Sequence, residues 1–505
     1  MGLTKRSIAI SAALTLMGGG LVAGTPAQAA QDRGHDPRCN RNNNSVSKLL
    51  QCVTLDGVME HQRAFQRIAD ENGGHRASGS PGYDASVDYV MKRMRKAGYK
   101  VTKQEFEFNA FSDLGGSALE QVAPGQQAYE EGTDFSATDH SEPGDVTAAV
   151  TPVDLQLGPG NTSTSGCEAA DFEGFPDGNI ALIQRGTCTF EQKGNLADAA
   201  GASGILFFNQ GSNDTPDRQG IPAVTLGNGY SGDIPALNLT YALGEQLAGI
   251  AEGDDGLTMR LFANVERVGS QTYNVLAESR RGDPDNVVMA GAHLDSVGEG
   301  PGINDNGSGS SALLEVAEQM KKVKTANKLR FAWWGAEEGG LVGSTHYVND
   351  LVTNSPDQLE AIEMYLNFDM VGSPNYGLFI YDGDGSGFGL VGPDGSDDIE
   401  ALFESYYADR GIPSEPTEFS GRSDYQAFIN NGIPAGGLFT GAEGVKTADQ
   451  AAKWGGEAGV AYDPCYHAEC DDIDNLSHEA LDINSDAMAY VTFLYASGKE
   501  AINQD

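Results

Sequence analysis

Hydrophobic periodicity changes character along this chain, and each change marks a boundary. From about Ser45 to Phe108 the pattern predicts helix, loop, helix, strand. Val87, Val90, Met91 and Met94 recur at i, i+3, i+4, i+7, which gives the second helix one apolar face. Gly98 stops that helix. Val101 to Phe108 then reads as a strand, with alternation clearest at Gln104, Phe106 and Phe108. From about Gly116 to Asp255 helical patterns thin out. Ile180 to Ile183 and Gly204 to Asn209 read as short strands, and Phe190 to Ala200 between them as a helix. This stretch reads as a separate small α/β unit. From about Leu261 onward, strands and helices alternate. Asn286 to Ala290, Leu329 to Trp334 and Met364 to Phe368 read as strands. Ser310 to Lys322 reads as a helix, and another closes the chain from about Ile483 to Leu494. Such alternation predicts an α/β fold with a mixed, mostly parallel sheet flanked by helices. The expected divisions are 1–30, 31–115, 116–260 and 261–505. No solenoid-type repeat is present.

The first thirty residues read as a signal peptide. Lys5 and Arg6 precede a mostly apolar run from Ile8 to Val22, and Ala27-Gln28-Ala29 supplies small residues for cleavage after Ala29 or Ala30. A membrane span needs roughly 20 continuous apolar residues. Gly18-Gly19-Gly20, Gly24 and Pro26 interrupt this one, and no later segment qualifies. The mature chain is therefore expected outside the cell, soluble and without a membrane partner. Its six cysteines are even in number and fall into local pairs, Cys39–Cys52, Cys167–Cys188 and Cys465–Cys470. Sequence closeness alone selects this pairing among the roughly 15 that six cysteines allow.

A length of 505 residues with 39% hydrophobic positions fits a globular chain of two or three domains. Its 72 acidic and 32 basic residues give a net charge of −40, which excludes nucleic acid as a partner. The excess reads as solubility in an extracellular medium. Attraction of positively charged peptide N-termini is the functional alternative.

Four segments end or follow predicted strands with metal-ligand chemistry. They are Gly291-Ala292-His293-Leu294-Asp295-Ser296, Gly302 to Gly309 around Asn304-Asp305-Asn306, Trp334-Gly335-Ala336-Glu337-Glu338-Gly339, and Asn367-Phe368-Asp369-Met370. In open α/β sheets, sites gather beyond the carboxyl ends of strands, so these clusters can converge. Zinc takes His nitrogen and carboxylate oxygen readily. The two oxygens of Asp305 suit a bridge between two metals. Of the adjacent Glu337 and Glu338, one can bind metal while the other stays free as a base. Asp295, two residues beyond His293, suits an acceptor that orients its imidazole. Taken singly, Glu337-Glu338 would read as surface acids, His293 as a core histidine and Asn304 to Gly307 as a turn. A fifth segment, Asp463 to Cys470, would hold Tyr466 and His467 inside a small disulfide loop. A Cys/His zinc knuckle is the alternative there.

These segments, with Ala290 to Val297, Phe331 to Glu338, Leu366 to Met370 and Cys465-Tyr466-His467, resemble the co-catalytic di-zinc aminopeptidases, in particular the secreted Streptomyces-type leucyl enzymes. The resemblance covers about 45–108 and 261–505. It implies a zinc peptidase domain, with peptides bearing a free N-terminus as substrates and a monomer as the expected species. It also implies roles. His293 and Asp369 would bind one Zn2+, Glu338 and His467 the other, and Asp305 both. Glu337 would act as general base and then acid, and Tyr466 would stabilise the oxyanion. Arg422 would lie near the substrate. Met370 and Phe439 would wall a pocket for a large apolar, leucine-like N-terminal residue. Tyr425 departs from the family, whose close members tend to carry His there; it is not an expected ligand, and little effect is expected. The 116–260 segment, with Arg185-Gly186-Thr187-Cys188-Thr189-Phe190, resembles a protease-associated domain, either a guide for substrates or a passive module. Some relatives bind calcium, and the run Asp471-Asp472-Ile473-Asp474 is compatible with Ca2+.

Alternative readings are a related zinc carboxypeptidase, a one-zinc glutaminyl cyclase, or a receptor that has lost its metals. An aminopeptidase needs acids to hold an ammonium, whereas a carboxypeptidase needs bases for a carboxylate. The acid excess favours the first.

Overall fold

The stripe Val87, Val90, Met91 and Met94 lies on the helix Pro81–Ala97 and is buried, as its spacing requires. Ser80 caps the helix through its side chain, Pro81 opens it, and Gly98 ends it in the left-handed region at φ 98°. These features belong to a computed structural model, which describes residues 39–222 and 224–502. The segment read as a signal peptide lies outside the described residues. Among the described residues, no helix is long and apolar enough to cross a membrane.

The main domain is built on an eight-stranded mixed sheet. Its order is Lys100–Asp113, Val265–Glu278, Asn327–Trp334, Asp283–His293, Ile362–Phe368, Ala435–Phe439, Phe379–Tyr381 and Glu415–Thr417. The four strands from Asn327–Trp334 to Ala435–Phe439 run parallel, so their carboxyl ends line one edge. Alternate side chains enter cores on opposite faces. Val288, Ala290, Phe331, Trp333, Met364 and Leu366 fill one face. Met289, Ala332, Trp334 and Tyr365 fill the other. Burial on both faces is why these strands read as continuous apolar runs.

The strand read as Val101 to Phe108 is longer than its alternation suggested. Lys100–Asp113 pairs antiparallel with Val265–Glu278 over its whole length. Past Phe108 this ribbon is half-buried or exposed, so no apolar alternation marks it. The ribbon leads to the inserted domain, a second eight-stranded sheet with a parallel centre of Gly144–Val153, Ile180–Gln184, Gly204–Phe208 and Ala236–Leu239. The helix Phe190–Ala199 packs on the face bearing Ile183, Ile205 and Phe207. The helix Tyr241–Ala251 covers Leu182, Leu206 and Leu237. The three local cysteine pairs are joined as Cys39–Cys52, Cys167–Cys188 and Cys465–Cys470.

The helix Gly307–Met320 starts three residues before the predicted Ser310, because Asn306 caps it by accepting from the Gly309 N–H at 2.9 Å. Its first turn therefore begins directly after Asp305. It also runs against the strand end that carries Asp369: a Cβ on Gly309 would stand 2.2 Å from the Phe368 carbonyl oxygen. That neighbour is backbone and cannot swing away. Gly309→Ala is expected to destabilise the main domain by at least the usual overpacking cost of about 1–3 kcal/mol. Gly249→Ala, in open space on the helix Tyr241–Ala251, is expected to be neutral or to stabilise by up to about 1 kcal/mol. Urea unfolding followed by far-ultraviolet circular dichroism, which reads both domains, separates the two; equal effects would contradict the packing account.

Candidate active site

The parallel strands deliver the expected residues to one edge. His293 ends its strand, Asp369 follows Phe368 directly, and Glu337 and Glu338 lie just beyond Trp334. Asp305 arrives on the loop that enters the Gly307–Met320 helix, and His467 on the loop closed by Cys465–Cys470. His293 Nε2 lies 3.2 Å from Asp305 Oδ1 and 3.3 Å from Asp369 Oδ1. His467 Nε2 lies 3.3 Å from Asp305 Oδ2 and 3.1 Å from Glu338 Oε2. Two triads of donors thus share Asp305, one through each carboxylate oxygen. Glu337 Oε2 stands farther off, 3.9 Å from His293 Nε2.

One imidazole N–H cannot satisfy two carboxylates at once. A tetrahedral cation with bonds of about 2.0–2.2 Å, however, sets its ligands about 3.3 Å apart, and these triads have that spacing. Asp369 Oδ1 and Glu338 Oε1 are buried without a hydrogen-bond partner. The donors are imidazole and carboxylate, which suit zinc. The residues therefore fit a pair of such ions.

The charge balance agrees. Burial raises Glu337 well above the usual carboxylate range and brings Glu338 and Asp424 up to about 7. Burial works against protonation of His467, but Glu338 and Asp305 outweigh it and hold the imidazole at about 11. Carboxylates outnumber imidazoles here, and the centre calls for added positive charge.

The remaining expected residues surround these donors. His293 Nδ1 lies 3.2 Å from the Asp295 backbone carbonyl and 3.6 Å from its carboxylate. The carboxylate instead accepts the Glu337 N–H, so Asp295 touches both motifs. Tyr466 stacks on His467 with ring centroids 3.8 Å apart, and its hydroxyl accepts from Arg422, which also pairs with Glu443 at 2.7 Å. Met370 and Phe439 line a cavity beside the donors together with Tyr381 and Tyr425. Tyr425 is buried in this wall, packed edge-on against Tyr381. Ala336, Met370 and His467 hold positive φ of 52°, 46° and 56°. Such backbone strain sits where donors must be aimed.

The profile of peptidase family M28 matches residues 274–492, and that of the PA domain residues 146–247. An aminopeptidase of Pseudomonas aeruginosa is 56% identical over 444 residues, covering 88% of this chain and 81% of its own. Leucine aminopeptidase 2 of Arthroderma otae is 42% identical over 84% of this chain and 80% of its own. The chain belongs to peptidase family M28. It is a hydrolase of the aminopeptidase type, with a PA domain inserted before its M28 core. An aminopeptidase from Aneurinibacillus superposes with a TM-score of 0.70 at 27% identity, covering 91% of this chain and 98% of its own. A zinc aminopeptidase from Bacillus subtilis, at 24% identity and TM-score 0.57, shows the shared fold.

Several residues of this M28 peptidase that shape the site were not legible in its sequence. Arg76 is fully buried in the loop between the first two long helices. Its guanidinium donates to the carbonyls of Leu294, Pro301 and Gly302, and its backbone N–H to Ser296 Oγ. It thereby ties the loop after His293 to the loop before Asp305. Asp471 faces the same loop from the other side, accepting the N–H groups of Asn304 and Asp305 at 2.8 and 2.9 Å. Asp471 thus turns inward to backbone donors, while Asp472 accepts from the Asp474 N–H. His61, Glu315 and Glu318 do approach one another, but Arg93 takes both oxygens of Glu318 at 2.5 and 2.9 Å. Asp369 Oδ2 accepts the Ser423 hydroxyl at 2.6 Å, at the end of a chain through Asn367, Tyr365 and Trp334. Its only sequence signal is Tyr365, Asn367 and Asp369 at every second position.

Arg76→Met would leave the buried carbonyls of Leu294 and Pro301 unpaired and Gly302 with only the Gly307 N–H. A loss of about 3 kcal/mol or more is expected, with a fall in bound metal. Urea unfolding and elemental analysis read both, and a stability change below about 0.5 kcal/mol would refute the latch.

Proposed function

We propose that this M28 aminopeptidase is secreted and removes large apolar N-terminal residues from peptides, using two zinc ions. His293, Asp305 and Asp369 would hold one ion, and Asp305, Glu338 and His467 the other. The observation that carries this reading is the pair of donor triads sharing Asp305, with Glu337 left outside them. Zinc bound there would supply Lewis acidity toward a water and toward the scissile carbonyl. Everything else falls to the chain. Glu337 is the general base: it stands beside the donors, and its raised affinity for a proton suits a group that accepts one from water and passes it to the leaving amine. Asp295 fixes Glu337 through its backbone N–H and faces the His293 ring. The Tyr466 hydroxyl accepts from Arg422, so its own proton is free to meet the oxyanion.

Substrate choice follows from charge and shape. The surplus of carboxylates attracts a free ammonium. Arg422, a cation lining the cavity, is already paired with Glu443, which leaves little to hold a C-terminal carboxylate. Met370, Phe439, Tyr381 and Tyr425 offer an apolar wall for a leucine-like side chain. Secretion is supported by the disulfides, which persist in oxidising compartments, and by the leader-like composition of the first thirty residues.

Glu337→Ala is expected to keep its zinc and to lose about 10²–10⁴-fold in kcat on leucyl p-nitroanilide. Chelation should abolish wild-type turnover, and added zinc should restore it. Full activity in the variant would remove Glu337 as the base, and equal rates on leucyl, lysyl and glutamyl substrates would remove the apolar pocket.

A further inference from the structure

The inserted PA domain reaches the loop that carries Glu337 and Glu338. Its turn around Gly227 to Tyr230 is rooted in the insert, since Leu226 and Tyr230 both belong to the insert's core. Arg267 of the ribbon holds the same turn by donating to the Tyr230 carbonyl at 2.7 Å. From this turn, Asn228 projects across to the main domain. Its amide Nδ2 donates to the Gly339 carbonyl at 2.5 Å, and its Oδ1 accepts the Asn109 N–H at 2.5 Å. One side chain thus joins the insert, the long edge strand and the residue immediately after Glu338.

The loop it grips is short and largely self-bonded. The Glu337 carbonyl accepts from the N–H groups of Gly340 and Leu341, both at 2.8 Å, and the Ala336 carbonyl accepts from Val342. On its inner side the loop is held by Ser78 through the Ala336 N–H and by Asp295 through the Glu337 N–H. On its outer side Asn228 supplies the tie. The approach is close: a Cβ on Gly339 would lie 3.0 Å from Asn228 Nδ2, and one on Gly340 would lie 3.6 Å from Gly227 Cα. Left-handed residues at Ala336, Gly340 and Leu341 give the loop alternative backbone states to relax into once a tie is lost.

We infer that Asn228 is a positioning residue for catalysis, through which the PA domain sets the geometry of Glu337 and Glu338 rather than only shielding the entrance. The inference rests on the proposed role of that loop. Small misplacements of reacting groups are amplified in rate, so loss of the tie acts on turnover more than on substrate capture.

The test uses the full-length enzyme loaded with zinc. Asn228→Ala is expected to lower kcat about tenfold while KM for leucyl p-nitroanilide stays within about twofold, and to speed chelator-driven zinc loss, because Glu338 is on the same loop. Asn228→Asp keeps the acceptor for Asn109 but not the donor to Gly339, and it should share both losses. Gly339→Ala should slow the wild type and add little on the Asn228→Ala background, since the clash is then gone. Hydrogen exchange should rise at 336–342 in Asn228→Ala and stay unchanged in the insert's central strands, which separates a loosened loop from a misfolded domain. An unchanged kcat with an unchanged exchange pattern would overturn the inference. A loss confined to KM would overturn it in favour of a role in access. If the wild type itself fails to turn over leucyl substrate, the proposed leucine-like preference fails, and the exchange measurement still decides whether Asn228 holds the loop.

Discussion

Buried negative charge at the strand ends is the constraint on which this site depends. Asp295, Asp305, Glu337, Asp369, Asp424, Asp463 and Asp471 are all nearly out of water, and Glu338 is partly so. An unpaired buried charge costs several kcal/mol. Hydrogen-bond donors meet part of this demand: backbone N–H groups serve Asp471, Asn304 and Asn475 amides serve Asp463, and Ser423 serves Asp369. Arg76 adds one buried cation nearby, directed wholly at carbonyls. Oxygens left without a donor include Asp369 Oδ1, which faces His293, Glu338 Oε1, and both oxygens of Asp424. Donors thus meet only part of the demand, and the rest of the buried negative charge calls for added positive charge.

Four of the donor residues were legible in the sequence because each follows an apolar run that marks a strand. His293, Glu337, Glu338 and Asp369 stand where the runs stop, and strand ends on one side of a parallel sheet must converge. The supports were less legible. Arg76 lies in a loop with no periodicity, and its partners are carbonyls, which any residue possesses. Asn228 lies in a turn whose composition signals only a turn. Asp471 was visible as an acid, but whether an acid faces solvent or a backbone N–H depends on packing that no local pattern encodes. The ribbon beyond Phe108 was missed for a related reason: a strand half-exposed on both faces carries no apolar alternation.

The ribbon also explains how a whole domain sits inside the peptidase without disturbing it. The chain leaves along Lys100–Asp113 and returns along Val265–Glu278, paired residue for residue. At the far end the Leu114 N–H donates to the Asn264 carbonyl at 3.0 Å, so exit and return lie side by side. An insertion at such a point asks nothing of the register of the main sheet. The same ribbon that tolerates the insertion carries Asn109 and Arg267 to the insert's 227–230 turn, which places Asn228 against the loop bearing Glu337 and Glu338.

The hydrogen-bond chain to Asp369 shows how completely such a support can be determined. The Trp334 indole can only donate, and it donates to the Tyr365 hydroxyl. Tyr365 must then give its own proton onward, to Asn367 Oδ1. That fixes which end of the Asn367 amide faces which way, and its Nδ2 donates to Ser423 Oγ. Ser423 in turn has only one direction left for its proton, Asp369 Oδ2. A chain that begins on a pure donor and ends on a carboxylate oxygen has one self-consistent polarity. Reversing any member would set two donors or two acceptors against each other in a dry interior, where an unmet group costs about 1–3 kcal/mol. Oδ2 is thereby held, the plane of the carboxylate is fixed, and Oδ1 is left pointing at His293. The aim of one proposed metal-ligand oxygen is set by an indole four side chains away in the network, so the buried aromatic face of the sheet shapes the site at its edge.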